Sequence, residues 1–120
     1  MNKPLHPDQL RDLIPLNALS PRQLWELRAR TVPLVLTAGE VLELDERHAT
    51  TRYYLMAGKL LVSDVEGQQG LLAAGTPAAL HSLLSERTRE VRALEDCHLL
   101  SVDAVELDRL LSWRQALQEV

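Results

Sequence analysis

The chain has 120 residues, with 13 Lys plus Arg, 17 Asp plus Glu and a formal net charge of −4, and 46% of its residues are hydrophobic. This size suits one globular domain, and the composition is that of a packed protein rather than a disordered one. The acidic balance argues against nucleic-acid binding, because basic side chains that neutralise phosphates supply most of that affinity. No apolar run approaches the roughly 20 residues of a membrane span, so we predict a cytoplasmic protein with no membrane segment.

The N-terminal part of the chain predicts a helical segment over residues 7–30. Residues 7–14 carry leucines and an isoleucine at helical spacing before Pro15, which ends the pattern. A second helix follows, because Ser20 and Gln23 are typical of a capping box at a helix start.

Residues 32–102 change to short apolar runs separated by turn residues, which predicts an antiparallel β-roll of the jelly-roll kind. Only residues 78–84 keep a helical pattern there, which argues against an alternating βαβ sheet. The predicted strands cover residues 32–36, 41–44, 53–57, 60–62, 71–74, 90–94 and 98–102. A second capping box, Asp103 to Glu106, opens a C-terminal helix over residues 104–118. The predicted fold is therefore one mainly β domain over residues 1–120 with flanking helices.

The sequence carries no pattern that indicates catalysis or a metal site. Its four histidines, His6, His48, His81 and His98, stand far apart, and the His-x-His strand pattern of jelly-roll metal enzymes is missing. Cys97 is the single cysteine, so we expect a small buried residue rather than a disulfide or zinc ligand. We therefore predict a protein that is not an enzyme and holds no metal.

Residues 75–92 are the strongest candidate for a ligand site. A strand ends there in a short helical turn, and Arg87, Arg89 and Arg92 mark the start of the next strand. A helix N-terminus joined by a returning arginine can bind an anion. The alternative is an ordinary crossover in which these arginines pair with nearby carboxylates on a solvated face.

Five short motifs follow one another along the chain. They are Leu16-x-x-Leu19-Ser20-x-x-x-Leu24, Ala38-Gly39-Glu40-Val41-Leu42, Tyr53-Tyr54-Leu55-Met56-x-Gly58-x-Leu60, Val91-Arg92-Ala93-Leu94-Glu95-Asp96-Cys97 and Leu99-Leu100-x-Val102-Asp103. In their order and spacing they resemble a cyclic nucleotide-binding domain over residues 9–114. This is the β-roll module of bacterial catabolite-activator-type regulators, cAMP-dependent kinase regulatory subunits and nucleotide-gated channels.

The resemblance implies a phosphate-binding cassette for cAMP or cGMP. Arg87, Thr88 and the amides of Ala79 and Leu80 would surround the cyclic phosphate, and Arg89 would share the face of Arg87 on the predicted strand. The chain departs from the family pattern, because Ala79 replaces the cassette glycine and Leu80 replaces the glutamate that accepts from the ribose hydroxyl. We therefore expect impaired or altered nucleotide binding.

Further departures are Glu86 at the family's proline position, Arg89 and Glu90 at its alanine and threonine positions, and Glu46-Arg47 where Gly-Asp is common. Two functions stay open, besides an enzyme or metal site for which the sequence carries no pattern. The first is a non-catalytic regulatory module that acts through a protein partner or self-association. The second is a sensor of cAMP, cGMP or another phosphorylated ligand through Arg87 and the cassette amides. In either case we expect a complete small adaptor or one module of a longer polypeptide.

The predicted C-terminal helix is the candidate surface for protein contacts. Its apolar residues exceed what a short helix must bury, and they are Val105, Leu110, Leu111, Trp113 and Leu117. We expect part of this face to meet a partner or a second copy of the chain.

Overall fold

The computed structural model describes residues 10–42, 44, 50–85 and 87–118, with side chains to residue 112. In chain order its elements are a 3₁₀ helix (Leu16–Ala18), α1 (Pro21–Arg28), β1 (Thr31–Leu36), β2 (Thr51–Ala57), β3 (Lys59–Asp64), β4 (Gln69–Ala73), a second 3₁₀ helix (Pro77–Leu80), β5 (Thr88–Ala93), β6 (Cys97–Asp103) and α2 (Ala104–Gln118). The predicted fold class, antiparallel β with flanking helices, is confirmed.

The capping box predicted for α1 is confirmed. Ser20 Oγ accepts a hydrogen bond from the Gln23 amide at 3.2 Å, and the Gln23 side chain accepts one from the Ser20 amide at 3.0 Å. The box pairs N–H groups that a helix start leaves without an intrahelical partner. Leu27 is buried on the inner side of α1, whereas Trp25 is exposed, with the Arg28 guanidinium 5.0 Å from its ring centre.

The strands form two three-stranded antiparallel sheets, in the orders β1–β6–β2 and β4–β3–β5. In the first sheet, Leu99 of the central strand β6 pairs with Leu34 of β1 and Leu55 of β2. In the second sheet, Leu61 of the central strand β3 pairs with Leu71 of the edge strand β4. Alternate side chains of both sheets point into a shared apolar interior.

The first sheet is covered on both faces, because neighbouring residues of a strand point in opposite directions. Tyr54 and Leu100 face the helices, whereas Leu55 and Leu99 face the second sheet. The helix-side core consists of Tyr54, Leu100, Leu10, Leu13, Leu16, Leu19, Leu24, Leu27, Val102, Leu107 and Leu110. The roll core consists of Leu55, Leu99, Leu36, Leu42, Leu60, Leu83, Val91, Ala93 and Cys97. The predicted burial of Cys97 is confirmed.

α2 begins with Asp103 as its cap, since the Asp103 carboxylate accepts a hydrogen bond from the Glu106 amide at 3.1 Å. The Glu106 carboxylate in turn accepts one from Arg109 Nε at 3.1 Å, and this bond lowers the pKa of Glu106. Gln23 Nε2 donates to the Leu110 carbonyl at 3.2 Å and so ties α1 to α2.

The helix predicted over residues 7–14 is wrong for its described part, because residues 10–15 form turns. The Ile14 amide donates to the Leu80 carbonyl at 2.8 Å rather than to an oxygen one turn earlier. Pro15 then supplies no N–H group to continue a helix. A tertiary hydrogen bond thus overrides the local helical pattern.

The helix predicted over residues 78–84 is also shorter than expected, because it is the 3₁₀ helix Pro77–Leu80 alone. Beyond it the Leu83 amide donates to the Tyr53 carbonyl of β2 at 2.9 Å. This bond draws the chain against the sheet and out of a helical path. The segment therefore lies as an extended connection along the roll.

The strand predicted over residues 41–44 is reduced, in the part described, to an isolated bridge between Val41 and Arg92. The other predicted strands are confirmed, with bounds that differ by one or two residues. Short apolar runs between turn residues therefore locate the strands well but not their ends.

Gly58 connects β2 to β3 at a close approach of two chain segments. Its φ is +97°, and a Cβ atom there would lie 2.6 Å from Cys97 Sγ and 2.7 Å from the Asp96 carbonyl oxygen. Only glycine combines this backbone conformation with this lack of space.

Candidate functional site

A surface cavity of about 520 Å³ lies between the β3–β4 hairpin and the connection that leads from the second 3₁₀ helix to β5. Its volume falls within the range of about 300–1,000 Å³ that is common for small-molecule sites. The lining residues are Val62, Asp64, Gln68, Gln69, Gly70, Leu71, Leu72, Ala78, Ser82, Leu83, Ser85, Arg87 and Thr88. Aliphatic side chains alternate here with hydroxyls and amides, which suits a polar organic ligand.

The turn of the β3–β4 hairpin is held by Asp64. Its Oδ1 accepts hydrogen bonds from the amides of Glu66 and Gln68, both at 2.9 Å, and its carbonyl accepts one from Gly67 at 3.0 Å. Gly67 adopts φ +84°, a conformation that such turns require and that glycine takes at little cost. The carboxylate of Asp64 therefore shapes the turn, although the residue also lines the cavity.

A second tight turn closes the other side of the cavity. The Ser85 amide donates to Thr88 Oγ1 at 3.0 Å, and the Thr88 amide donates to the Ser85 carbonyl at 3.0 Å. The Arg87 amide donates to Ser85 Oγ at 3.3 Å. Three backbone N–H groups that could face a ligand phosphate, those of Ser85, Arg87 and Thr88, are thus already bonded.

The guanidinium of Arg87 pairs with Glu66 at the tip of the hairpin. Arg87 Nη2 donates a short hydrogen bond to Glu66 Oε1, and the two side chains are 62% and 60% exposed. The backbones are joined as well, since the Val65 amide donates to the Arg87 carbonyl at 2.9 Å. The ion pair spans the hairpin and the start of β5.

Two of the five residues predicted for the ligand site, Arg87 and Thr88, line the cavity. Ala79, Leu80 and Arg89 lie outside its lining. Ala79 is buried and donates its amide to the Thr76 carbonyl at 3.0 Å. Leu80 is 36% exposed, and Arg89 is exposed on β5. The Leu80 side chain therefore does not fill the cavity.

The alternative interpretation of the arginine cluster, pairing with nearby carboxylates, holds for Arg92. Its Nη2 atom lies 3.6 Å from Glu90 Oε1 on the exposed face of β5. Arg87 pairs as that interpretation required, but with Glu66 of the hairpin rather than with a carboxylate near it in sequence. Two of the other departures from the family pattern, Glu86 and Glu46-Arg47, lie outside the described residues.

Sequence reasoning missed Glu66 as a site residue. The turn at residues 65–67 is evident from Gly67 between two apolar runs, but its contact with Arg87 depends on strand pairing. Asp64 of β3 pairs with Thr88 of β5 in the second sheet. Only a correctly predicted β3–β5 register would have indicated that Glu66 and Arg87 lie side by side.

The remaining reactive groups of the described residues form no second site. Burial raises the pKa of the Cys97 thiol, whose Sγ lies 3.2 Å from the carbonyl oxygens of Lys59 and Glu95. A buried thiol with a raised pKa is a poor nucleophile. Within the described ranges no three His, Cys, Asp or Glu side chains are grouped as a metal would require.

Neither α-helix in the described part of the chain combines the length and the hydrophobicity needed to cross a membrane.

No family model matches this chain, and no curated protein matches its sequence. Solved structures do match. The sensor domain of the transcriptional regulator DNR from Pseudomonas aeruginosa has a TM-score of 0.68 and 19% identity, covering 89% of this chain and 80% of that chain. The cAMP-bound PfPKA-R has a TM-score of 0.67 and 16% identity, covering 88% of this chain and 38% of that chain.

A third similar structure is the regulatory subunit of a cAMP-independent protein kinase A from Trypanosoma cruzi, bound to guanosine. It has a TM-score of 0.62 and 14% identity, covering 88% of this chain and 40% of that chain. These likenesses concern the fold: the chain has the β-roll of cyclic nucleotide-binding domains, as the sequence motifs predicted. The Pseudomonas aeruginosa neighbour is a sensor domain, and the Trypanosoma cruzi neighbour is a regulatory subunit.

Proposed function

We propose that the chain is a non-catalytic regulatory module of the cyclic nucleotide-binding fold with altered ligand binding. The observation that carries this proposal is the pairing of Arg87 with Glu66. In the family that the sequence resembles, the cassette arginine holds the cyclic phosphate. A guanidinium already bonded to a carboxylate offers a phosphate fewer free donors and less uncompensated positive charge.

The residue at the family's glutamate position supports the same proposal. Leu80 stands where the family has a glutamate for the ribose hydroxyl, and its side chain lies outside the cavity lining. A hydrogen bond to a charged group contributes about 1.5–3 kcal/mol. Its loss weakens binding by roughly ten- to a hundredfold, since each 1.4 kcal/mol corresponds to about a factor of ten. We expect cAMP and cGMP to bind weakly.

Thermal unfolding of the full chain with cAMP or cGMP tests this proposal. A ligand at about 100 times its Kd adds about 2.7 kcal/mol to the free energy of unfolding. We expect no measurable rise of Tm at micromolar nucleotide. At millimolar nucleotide we expect at most a small rise, which Arg87→Ala removes. A large rise at micromolar concentration contradicts the proposal.

The output of such a module is a change in protein contacts. Apolar side chains of both helices face solvent, since Val105 of α2 is 64% exposed and Trp25 of α1 is 58% exposed. Trp113 and Leu117, also predicted for this surface, have side chains outside the described part of the chain. We propose self-association or a protein partner at this end, in the cytoplasm. Light scattering tests self-association, with Val105→Asp expected to lower the average mass.

A second candidate function is a sensor of a phosphorylated ligand. It is favoured by the position of Arg87 and Thr88 on one cavity that is large enough for a nucleotide. The similar PfPKA-R is described as bound to cAMP, and the Trypanosoma cruzi subunit as bound to guanosine, a nucleoside without phosphate. Titration with cGMP and guanosine separates the two ligand types. Tighter binding of cGMP than of guanosine supports the phosphate sensor.

A further inference from the structure

The pair formed by Glu66 and Arg87 is positioned by the backbone rather than by its side chains alone. The Val65 amide donates to the Arg87 carbonyl at 2.9 Å, and two amides bonded to Asp64 Oδ1 fix the turn that carries Glu66. The Arg87 amide is bonded to Ser85 Oγ at 3.3 Å. Because both backbones are held, the two side chains start from positions within reach of each other, and forming the pair costs only side-chain rotamer freedom.

The charges around the cavity disfavour the binding of an anionic ligand. Among the described lining residues, Arg87 is the cation and Asp64 is the anion. Glu66 adds a second carboxylate directly on the guanidinium. The remaining polar lining comes from the uncharged amides and hydroxyls of glutamine, serine and threonine. An approaching phosphate therefore meets two carboxylates for one guanidinium.

We propose that Glu66 is the specificity-determining residue of this cavity: it occupies Arg87 as an internal competitor and thereby disfavours phosphorylated ligands relative to uncharged ones. This inference rests on the proposed function and names the residue that sets it. An anionic ligand has to compete with the Glu66 carboxylate for the guanidinium and is repelled by it, whereas an uncharged ligand is not. Removing the carboxylate frees the guanidinium and removes a repelling charge at the same time.

The size of the effect follows from the exposure of the pair. An exposed ion pair contributes modestly, because water and salt screen it. We therefore expect Glu66→Gln to tighten binding of cAMP by about three- to tenfold and to leave binding of adenosine within about twofold. The same gain is expected to disappear when Arg87→Gln is added, since no cation then remains to be released.

The experiment is a titration of full-length wild type, E66Q and E66Q/R87Q with cAMP and with adenosine at one ionic strength. Glu26→Gln is the matched control, because it removes the same charge from α1, where Glu26 lies 3.9 Å from Arg109. A gain for cAMP in E66Q alone supports the proposal. An equal gain in E26Q, a gain that survives R87Q, or no cAMP binding by E66Q at millimolar concentration overturns it.

A second measurement does not depend on any ligand. The Arg87 Nε–Hε resonance in a nitrogen-15 NMR spectrum is expected to shift in E66Q and to stay in place in E26Q. An unmoved resonance in E66Q shows that the pair does not form in solution and overturns the proposal. The proposed function fails separately, if wild type itself binds cAMP tightly. The E66Q comparison then still decides the role of Glu66.

Discussion

The helix-side core and the cavity differ in how their polar groups are paired. On the helix side the bonds join distant parts of the chain: Tyr54 Oη donates to the Ile14 carbonyl at 2.8 Å, and Gln23 Nε2 donates to the Leu110 carbonyl at 3.2 Å. Around the cavity the bonds are mostly local, as in those that join Ser85 to Arg87 and Thr88. Local bonds shape the rim of a hollow without filling it. The first region therefore supports stability, whereas the second keeps an open cavity at the surface.

The largest expected effect comes from a substitution that removes apolar contacts in the helix-side core. Leu107 of α2 is fully buried there, whereas Leu71 of β4 is 71% exposed at the cavity. Leu107→Ala is expected to lower the free energy of unfolding by about 2–5 kcal/mol through lost contacts and a residual cavity. Leu71→Ala is expected to change it by less than about 0.5 kcal/mol. Urea denaturation measures both, and similar losses in the two variants contradict the contrast drawn between the regions.

Gly58 tests the packing of the roll core next to the cavity. An alanine there would place its Cβ 2.6 Å from Cys97 Sγ in a backbone of φ +97°. Gly58→Ala is expected to cost about 2–4 kcal/mol, since steric overlap adds to the cost of a left-handed conformation. Gly39→Ala is the control, because Gly39 has φ +90° but a Cβ atom at that position would have nothing within 4 Å. Equal losses of Tm would mean that the overlap is relieved without cost.

Tyr54 makes the free energy of unfolding depend on pH in the alkaline range. Burial raises the pKa of Tyr54 to about 12, compared with about 10 for an unfolded tyrosine. The protonated side chain is thus favoured in the folded state, and this stabilisation is complete below pH 10. It is lost as the pH rises through about 12, by up to about 2–3 kcal/mol. Tyr54→Phe is expected to lack this part of the pH dependence, as urea denaturation at pH 8–12 would show; parallel curves would count against it.

The smallest expected effect compares hydrogen bonds in the two regions. Thr31 Oγ1 donates to the Leu27 carbonyl at 2.9 Å in a buried position, and Thr88 Oγ1 accepts from the exposed Ser85 amide at 3.0 Å. Thr31→Val is expected to cost about 1–2 kcal/mol, because it leaves a buried carbonyl without this donor. Thr88→Val is expected to cost about 0.5–1 kcal/mol, since water can replace the lost acceptor. A larger loss for Thr88→Val would reverse the comparison.

Local patterns in the sequence account for most of the fold. Ser20 and Gln23 fix the start of α1, and the alternating apolar runs locate the strands, because both signals act within a few residues. The predicted helices at residues 7–14 and 78–84 failed where long-range bonds intervene, such as the one from Ile14 to Leu80. Bonds of this kind depend on the assembled fold, so no local pattern carries them.

The candidate site, like the fold, could be predicted from the sequence only where its residues are close together in the chain. Arg87 and Thr88 were predicted from a motif that occupies one short stretch of the chain, and both line the cavity. Glu66 is 21 residues away from Arg87 and reaches it only through the pairing of β3 with β5. The cavity itself arises from the packing of a hairpin against a connecting segment. Such a space has no signature in sequence.

Isothermal titration calorimetry of the full chain with cAMP and with cGMP tests the central claim most directly. The pairing of Arg87 with Glu66 and the leucine at position 80 predict weak binding, with a Kd above about 100 μM for both nucleotides. A saturable isotherm with a submicromolar Kd for either nucleotide would contradict it.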